Sequence, residues 1–136
     1  VGLSDAAVSA MRMDVAVAPS GLVVVNDAYN ANPTSTRAAL DALAKVSVTG
    51  RRVAVLGVMA ELGAGSDAAH RAVAEHAATL GIEVVAVAAP AYGADDVADA
   101  AAAVDRLAGL GPGDAVLVKG SRVAGLEAVA EALLAG

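Results

Sequence analysis

Three short apolar runs, far apart in the chain, are each followed by a segment of helical character. The runs are Arg52–Gly57, Val84–Ala88 and Ala115–Lys119, and Val and Ala fill most of their positions. Because polar and apolar residues do not alternate in them, both faces of each strand are expected to be buried. Continuous apolar strands that alternate with helices predict a parallel sheet covered by helices on both sides.

The beginning of the chain has a different pattern. The runs Met13–Ala18 and Leu22–Asn26 are β-prone, and Pro19, Ser20 and Gly21 between them favour a tight turn. We therefore expect a hairpin here. The sequence as a whole predicts an α/β fold, a three-layer Rossmann-like sandwich whose mostly parallel sheet carries an antiparallel hairpin at one edge.

The predicted helices have recognisable ends. Pro33 suits the first turn of a helix, Ser66 with Asp67 offers an N-cap, and Gly81 ends the segment that follows. Aromatic residues make up only 1% of the 136-residue chain, so the core must consist of small side chains in closely packed layers. The helices are expected at 34–46, 67–80, about 95–110 and about 124–134.

Composition excludes several classes of function. A net charge of -6 with nine Lys and Arg residues argues against a nucleic-acid surface, which needs a clustered basic face. The absence of cysteine excludes disulfides and thiolate metal sites. No apolar run approaches the roughly 20 residues of a membrane span. We expect a soluble, cytoplasmic protein.

The loop after the second strand of the hairpin is the first candidate site, because ligands of open α/β sheets bind at the carboxyl ends of strands. It holds Asp27, Tyr29, Asn30, Asn32 and Pro33. A carboxylate, two amides and a ring suit a ribose, a base edge or a phosphate. The same residues also form Asx turns and cap helices, so both interpretations are open.

The loop after Leu56 holds Glu61, and His70 follows in the next predicted helix. A carboxylate and an imidazole could act as acid and base or as magnesium ligands. The alternative is that Glu61 is solvated and His70 lies on an exposed helical face.

The loop after Val118 carries Lys119, Ser121 and Arg122, which are two cations and a hydroxyl at the start of a predicted helix. Such a group suits a phosphate or a carboxylate. A solvated strand end is the alternative. The chain has neither a G-x-x-x-x-G-K-S/T loop nor a G-x-G-x-x-G motif, so a triphosphate would need a partner domain.

Four motifs follow one another and together cover nearly the whole chain. They are Arg12-Met-Asp14, Asn26-Asp-Ala-Tyr-Asn-Ala-Asn-Pro33, Val55-Leu-Gly-Val-Met-Ala-Glu-Leu-Gly63 followed by His70, and Gly113-Asp-Ala-Val-Leu-Val-Lys-Gly-Ser-Arg122 followed by Leu126-Glu127. In this order they resemble the motifs of the C-terminal domain of the Mur ligase family, and the second motif is similar to the branch that adds D-alanyl-D-alanine.

The resemblance implies an ATP-dependent amide ligase of peptidoglycan synthesis, expected to be a monomer. ATP would activate the carboxylate of UDP-N-acetylmuramoyl-tripeptide as an acyl phosphate, and D-alanyl-D-alanine would attack it. The phosphate loop, the catalytic residues and the Mg²⁺ ligands would belong to a central ATPase domain, over which this domain closes. Closure would exclude water from the acyl phosphate.

Site residues follow from the same resemblance. Lys119, Ser121 and Arg122 would lie near the incoming dipeptide, whose carboxylate suits a guanidinium. No catalytic or metal-binding residue is expected on this domain itself. The residues that would face the nucleotide are Arg12, Asp27, Tyr29, Asn30, Asn32 and Pro33.

Two departures qualify the resemblance. Val58 stands where the family usually has an acidic residue, and the passage between Tyr92 and Val104 is shorter than expected. We expect residues 1–11 to be a remnant of the central domain or a linker, and residues 12–136 to form the domain. The rival hypotheses are a related ligase for another amino acid and a stand-alone module that binds a nucleotide or an amino acid without catalysis.

Overall fold

Six strands and four α-helices make up the regular structure of the part of the chain described by this computed structural model, which is residues 14–27, 33–46, 48–59, 65–93, 95–119 and 126–135. The strands are β1 Asp14–Val17, β2 Val23–Asp27, β3 Arg52–Gly57, β4 Glu83–Val87, β5 Asp95–Val97 and β6 Ala115–Lys119. The helices are α1 Pro33–Ala44, α2 Ser66–Thr79, α3 Ala100–Arg106 and α4 Glu127–Ala135, and a 3₁₀ helix spans Pro90–Tyr92.

The strands form one sheet in the order β1-β2-β6-β3-β4-β5. The β1–β2 hairpin is antiparallel, and all other pairs are parallel. The predicted mixed sheet with an edge hairpin is therefore confirmed. Because β2, β6, β3, β4 and β5 run in one direction, their carboxyl ends meet at a single edge.

Two helices cover each face of the sheet. Helices α1 and α2 pack on one face through Leu40, Leu43 and Val73, and α3 and α4 pack on the other through Ala103 and Val129. These side chains are fully buried. The core is thus built from many small and medium aliphatic groups in three layers, as the low aromatic content predicts.

The hairpin turn depends on a glycine. Gly21 has a φ of 91°, and its N–H donates to the carbonyl oxygen of Ala18 at 2.9 Å. A Cβ atom at this position would lie 2.9 Å from Pro112 Cγ. Both the left-handed backbone and the close approach of the neighbouring turn therefore require glycine here.

One predicted helix is partly wrong. Residues Asp95–Val97 form the short edge strand β5, paired with Val85–Val87, instead of the start of a helix. Helix α3 begins only at Ala100, because the Asp99 side chain accepts the N–H of Ala102 at 2.9 Å and caps it. The pairing with β4 is a tertiary contact that the Ala-rich local sequence does not reveal.

The N-cap of α2 also differs from the prediction. Gly65 occupies the cap and makes no side-chain capping bond, while Ser66 and Asp67 are the first two helical residues. Asp67 still favours the helix from its first turn, because a negative charge there complements the helix dipole. Helix α1 begins at Pro33, one residue before the predicted start, with the proline in its first turn as predicted.

Charged side chains stabilise the amino edge of the sheet, which lies opposite the candidate loops. The Asp114 carboxylate accepts the N–H of Arg51 at 2.7 Å and that of Gly111 at 3.0 Å. The Arg51 guanidinium in turn makes two bonds, of 2.7 and 2.8 Å, to the Glu83 carboxylate. The N–H of Arg51 holds the pKa of Asp114 below its usual value, and the Arg51 side chain does the same to Glu83.

These lowered pKa values predict a loss of stability in acid. A carboxyl group whose pKa is lower in the folded state stabilises the fold above its ordinary pKa, and that contribution disappears as the pH falls. The free energy of unfolding in urea should therefore decrease as the pH drops from about 5 to 3. The slope should be shallower in Asp114→Asn. Asp105→Asn, at an exposed position of α3, is the control that should keep the original slope, and an unchanged slope in Asp114→Asn would contradict the assignment.

Candidate functional site

The candidate site lies at the carboxyl edge of the sheet, around the end of β6. Lys119 is paired in register with Asp27 of β2 on one side and with Leu56 of β3 on the other. The chain leaves β2 and β3 toward the layer of α1 and α2, whereas the helix after β6 lies in the opposite layer. Such a topological switch point is where open α/β sheets bind ligands.

Lys119 is a buried cation at this switch point. Its side chain is only 2% exposed, so the alternative of a solvated strand end is wrong for this residue. A buried ammonium group must be balanced by polar or charged neighbours. The Lys119 side chain is therefore held within the edge and is not a mobile surface group.

The neighbouring strand end carries a buried acceptor. Asn26 Oδ1 is inaccessible to solvent and has no hydrogen-bond partner among the residues that the structure describes. Buried polar atoms are normally satisfied, and an unsatisfied one calls for a donor. The end of β2 is thus suited to receive a donor from a ligand or an adjoining segment.

The loop after β3 is held from beneath by His70. The N–H of Met59 donates to His70 Nε2 at 2.9 Å, and His70 Nδ1 lies 2.6 Å from the carbonyl oxygen of Ser66. His70 is 1% exposed, so the interpretation that it lies on an exposed helical face is wrong. Both ring nitrogens are engaged, which leaves none for a metal ion or a substrate proton in this structure.

Tyr92 is a structural support of this edge that sequence reasoning missed. Its ring packs edge-on against His70 with the centroids 4.7 Å apart, and its hydroxyl donates to the carbonyl oxygen of Gly57 at 2.7 Å. Burial raises the pKa of the hydroxyl, which therefore stays protonated. Composition could have indicated that Tyr92 is important, because it is one of two tyrosines in a chain without Phe or Trp.

A cleft of about 490 Å³ opens between the loops after β3 and β4 and the start of α2. On its β4 side, Ala88 has a φ of 50°, an unusual value for a non-glycine residue. The N–H of Ala89 donates to the Asp96 carboxylate at 2.8 Å, which fixes this wall. The lining residues are Val58, Ser66, Asp67, His70, Arg71, Ala88, Ala89, Pro90 and Ala91.

Several predicted site residues lie outside the described ranges. Of the nucleotide set, the structure places the backbone of Asp27 at the end of β2 and Pro33 at the start of α1. Within the described ranges, no three His, Asp or Glu side chains gather as a metal site would require. No helix in those ranges is long and apolar enough to cross a membrane. The residues outside them are Arg12, Tyr29, Asn30, Asn32, Glu61, Ser121 and Arg122.

The sheet and its switch point define a Rossmann-like α/β domain with a ligand edge. The family model described as "Mur ligase, glutamate ligase domain" matches residues 11–122. The chain therefore belongs to the Mur ligase family.

Named relatives agree with this assignment. The chain is 41% identical over 161 aligned positions to the UDP-N-acetylmuramoyl-tripeptide--D-alanyl-D-alanine ligase of Mycobacterium bovis, covering 94% of the chain and 32% of the relative. The MurF ligase of Thermotoga maritima, crystallised with ADP, superposes with a TM-score of 0.79 at 28% identity, covering 91% of this chain and 30% of that one. A MurF structure from Acinetobacter baumannii superposes with a TM-score of 0.78 at 30% identity, covering 92% of this chain and 30% of that one.

The alignment also shows a difference in length. The chain spans about a third of the curated relatives that it matches. The alignment with the Mycobacterium bovis relative runs over 161 positions, whereas the chain has 136 residues. The relative therefore has internal segments in this region that the present chain lacks.

Removing the Tyr92 hydroxyl tests whether it supports the end of β3. Tyr92→Phe keeps the ring but leaves the Gly57 carbonyl without this donor, so the free energy of unfolding should fall by about 1–2 kcal/mol. Chemical denaturation measures the change. Thr79→Val, which removes the exposed hydroxyl that donates to His76, is the control and should cost less. Equal costs would show that burial adds nothing to the Tyr92 bond.

Proposed function

We propose that this chain is the C-terminal, nucleotide-clamping domain of an ATP-dependent ligase that adds D-alanyl-D-alanine to UDP-N-acetylmuramoyl-tripeptide. The observation that carries the proposal is the register of three adjacent strands, which brings Asp27, Lys119 and Leu56 side by side at the switch point. Each strand leads into a loop with one of the motifs that resemble this branch of the family. The name of the Mycobacterium bovis relative supports the same reaction.

The reaction proceeds in two steps. A carboxylate oxygen of the tripeptide attacks the γ-phosphorus of ATP, the bond to the β-γ bridging oxygen breaks, and ADP leaves. The amine of D-alanyl-D-alanine then attacks the acyl phosphate carbon, phosphate departs, and the amine loses a proton as the amide forms. Mg²⁺, held mainly by the central domain, would neutralise charge on the transferring phosphate.

The domain's contribution is to close over the reactants. Its carboxyl edge would cover the nucleotide with the loop after β2, and the ADP complex of the Thermotoga maritima ligase supports a nucleotide as a ligand of the complete protein. Arg12, Tyr29, Asn30 and Asn32 would complete this contact. Shielding matters because an acyl phosphate hydrolyses if water reaches it.

The loop after β6 would receive the dipeptide. Because Lys119 is buried, we assign it a supporting charge beneath the loop and give direct contact with the dipeptide carboxylate to Ser121 and Arg122. A planar guanidinium can bind a carboxylate through two parallel hydrogen bonds. The nucleotide and the dipeptide would thus lie at loops from neighbouring strands, which would bring the amine of the dipeptide close to the acyl phosphate that forms beside the nucleotide.

One substitution in each loop of the complete ligase tests this division, in which the loop after β2 binds ATP and the loop after β6 binds the dipeptide. Asp27→Ala should raise the KM for ATP by about tenfold with little change for the dipeptide, as expected for loss of a charged contact. Arg122→Ala should do the reverse. Phosphate release with D-alanyl-D-alanine and the tripeptide precursor is the measurement, and Asp105→Ala on α3 is the control. If no amine supports phosphate release by the unmodified ligase, the proposed function is wrong, and equal effects on both KM values would refute the division.

A further inference from the structure

The segment that leaves β3 is anchored to a histidine in a single defined state. An amide N–H can only donate, so His70 Nε2 must accept the bond from Met59, which measures 2.9 Å. A carbonyl oxygen can only accept, so Nδ1 must carry the proton that is shared with Ser66 at 2.6 Å. His70 is therefore a neutral imidazole protonated at Nδ1.

Two further contacts converge on the same three residues, 57–59. The Thr36 hydroxyl of α1 donates to Met59 Sδ at 3.7 Å, and the Tyr92 hydroxyl donates to Gly57. Thr36, Met59, His70 and Tyr92 are all at most 2% exposed. Helix α1, helix α2 and the 3₁₀ helix thus each contact the end of β3. Within this network, His70 accepts the hydrogen bond from the backbone amide of Met59.

The anchored residues lie next to the switch point. Gly57 directly follows Leu56, whose register partner is Lys119 at the end of β6. Val58, Ser66 and His70 all line the cleft of about 490 Å³. A shift of the Met59 amide would therefore move a wall of this cleft relative to β6.

We propose that His70 is a positioning residue for the ligase reaction, one that holds the exit of β3, the strand paired with β6, in the position required by the incoming amine. The proposal rests on the function proposed above. Strand β6 lies between β2 and β3 in the sheet, so the exit of β3 is next to the strand that leads into the loop assigned to the dipeptide. Direct acid or base catalysis does not fit, because both nitrogens are bonded and the ring is 1% exposed.

Substitution of His70 by Gln or by Asn tests the hydrogen bonds of its two ring nitrogens separately. In His70→Gln the side-chain oxygen can reach the position of Nε2 and accept from Met59, whereas in His70→Asn the amide reaches only the position of Nδ1. In the complete ligase, His70→Asn should raise the KM for D-alanyl-D-alanine by about five- to tenfold, as for the loss of one buried hydrogen bond. The KM for ATP and kcat should change less than twofold, and His70→Gln should recover most of the loss.

A purely structural role would give a different pattern. If both KM values rise together, or if Gln is no better than Asn, His70 only supports the fold and the proposal is wrong. Thermal melting of both variants identifies a general loss of folding. If His70→Asn does not fold, Tyr92→Phe takes its place, because it loosens Gly57 and should raise the KM for the dipeptide alone.

The tautomer gives a test that does not depend on catalysis. In the ¹⁵N-labelled chain, His70 should show a protonated Nδ1 and an unprotonated Nε2 by NMR at neutral pH. A ring protonated at Nε2 would overturn the anchoring of Met59 and with it the proposal. If the unmodified ligase releases no phosphate with the dipeptide, the role of His70 in that reaction falls with the proposed function, while the NMR result still decides whether the anchor exists.

Discussion

The pairing of β6 with both β2 and β3 is the interaction on which the rest of the structure depends. All five residues Ala115–Lys119 are buried, and each pairs with one residue on either side. Without β6 the sheet would separate into a hairpin and a three-stranded unit, and the candidate loops would belong to different pieces. The last strand in the chain therefore assembles the site. Such long-range pairing costs chain entropy before it brings stability, so it is expected to form late in folding.

The small side chains of the core shape the ligand edge as well as the layers. Ala and Val let helices approach the sheet closely, but they offer no polar group that could fix a loop. Among the residues that the structure describes, Tyr92 is the largest fully buried side chain, and His70 is the buried ring beside it. The bulky polar groups of the core are thus concentrated beneath the carboxyl edge. Aliphatic packing holds the sheet together, and a few buried hydrogen bonds determine where its loops lie.

Sequence reasoning succeeded where local pattern decides structure. The strand Arg52–Gly57 and the hairpin turn at Gly21 were predicted because a buried strand requires a run of apolar residues and a tight turn favours glycine. The short strand β5 was not predicted, since Asp95 and Asp96 are polar and exposed and form a strand only through pairing with β4. Edge strands of this kind follow from their neighbours rather than from their own residues.

The candidate site shows the same division between local and tertiary information. Motif and strand-end reasoning placed Lys119 and Asp27 at one edge, but whether a side chain is buried depends on contacts from elsewhere in the chain. For His70 the sequence offered a catalytic group or an exposed one, and the structure shows a buried group that fixes a backbone amide eleven residues earlier. A histidine that follows a strand-end loop at this distance can lie directly below that loop. Polar residues near a site can therefore matter through the backbone that they hold, without touching a ligand.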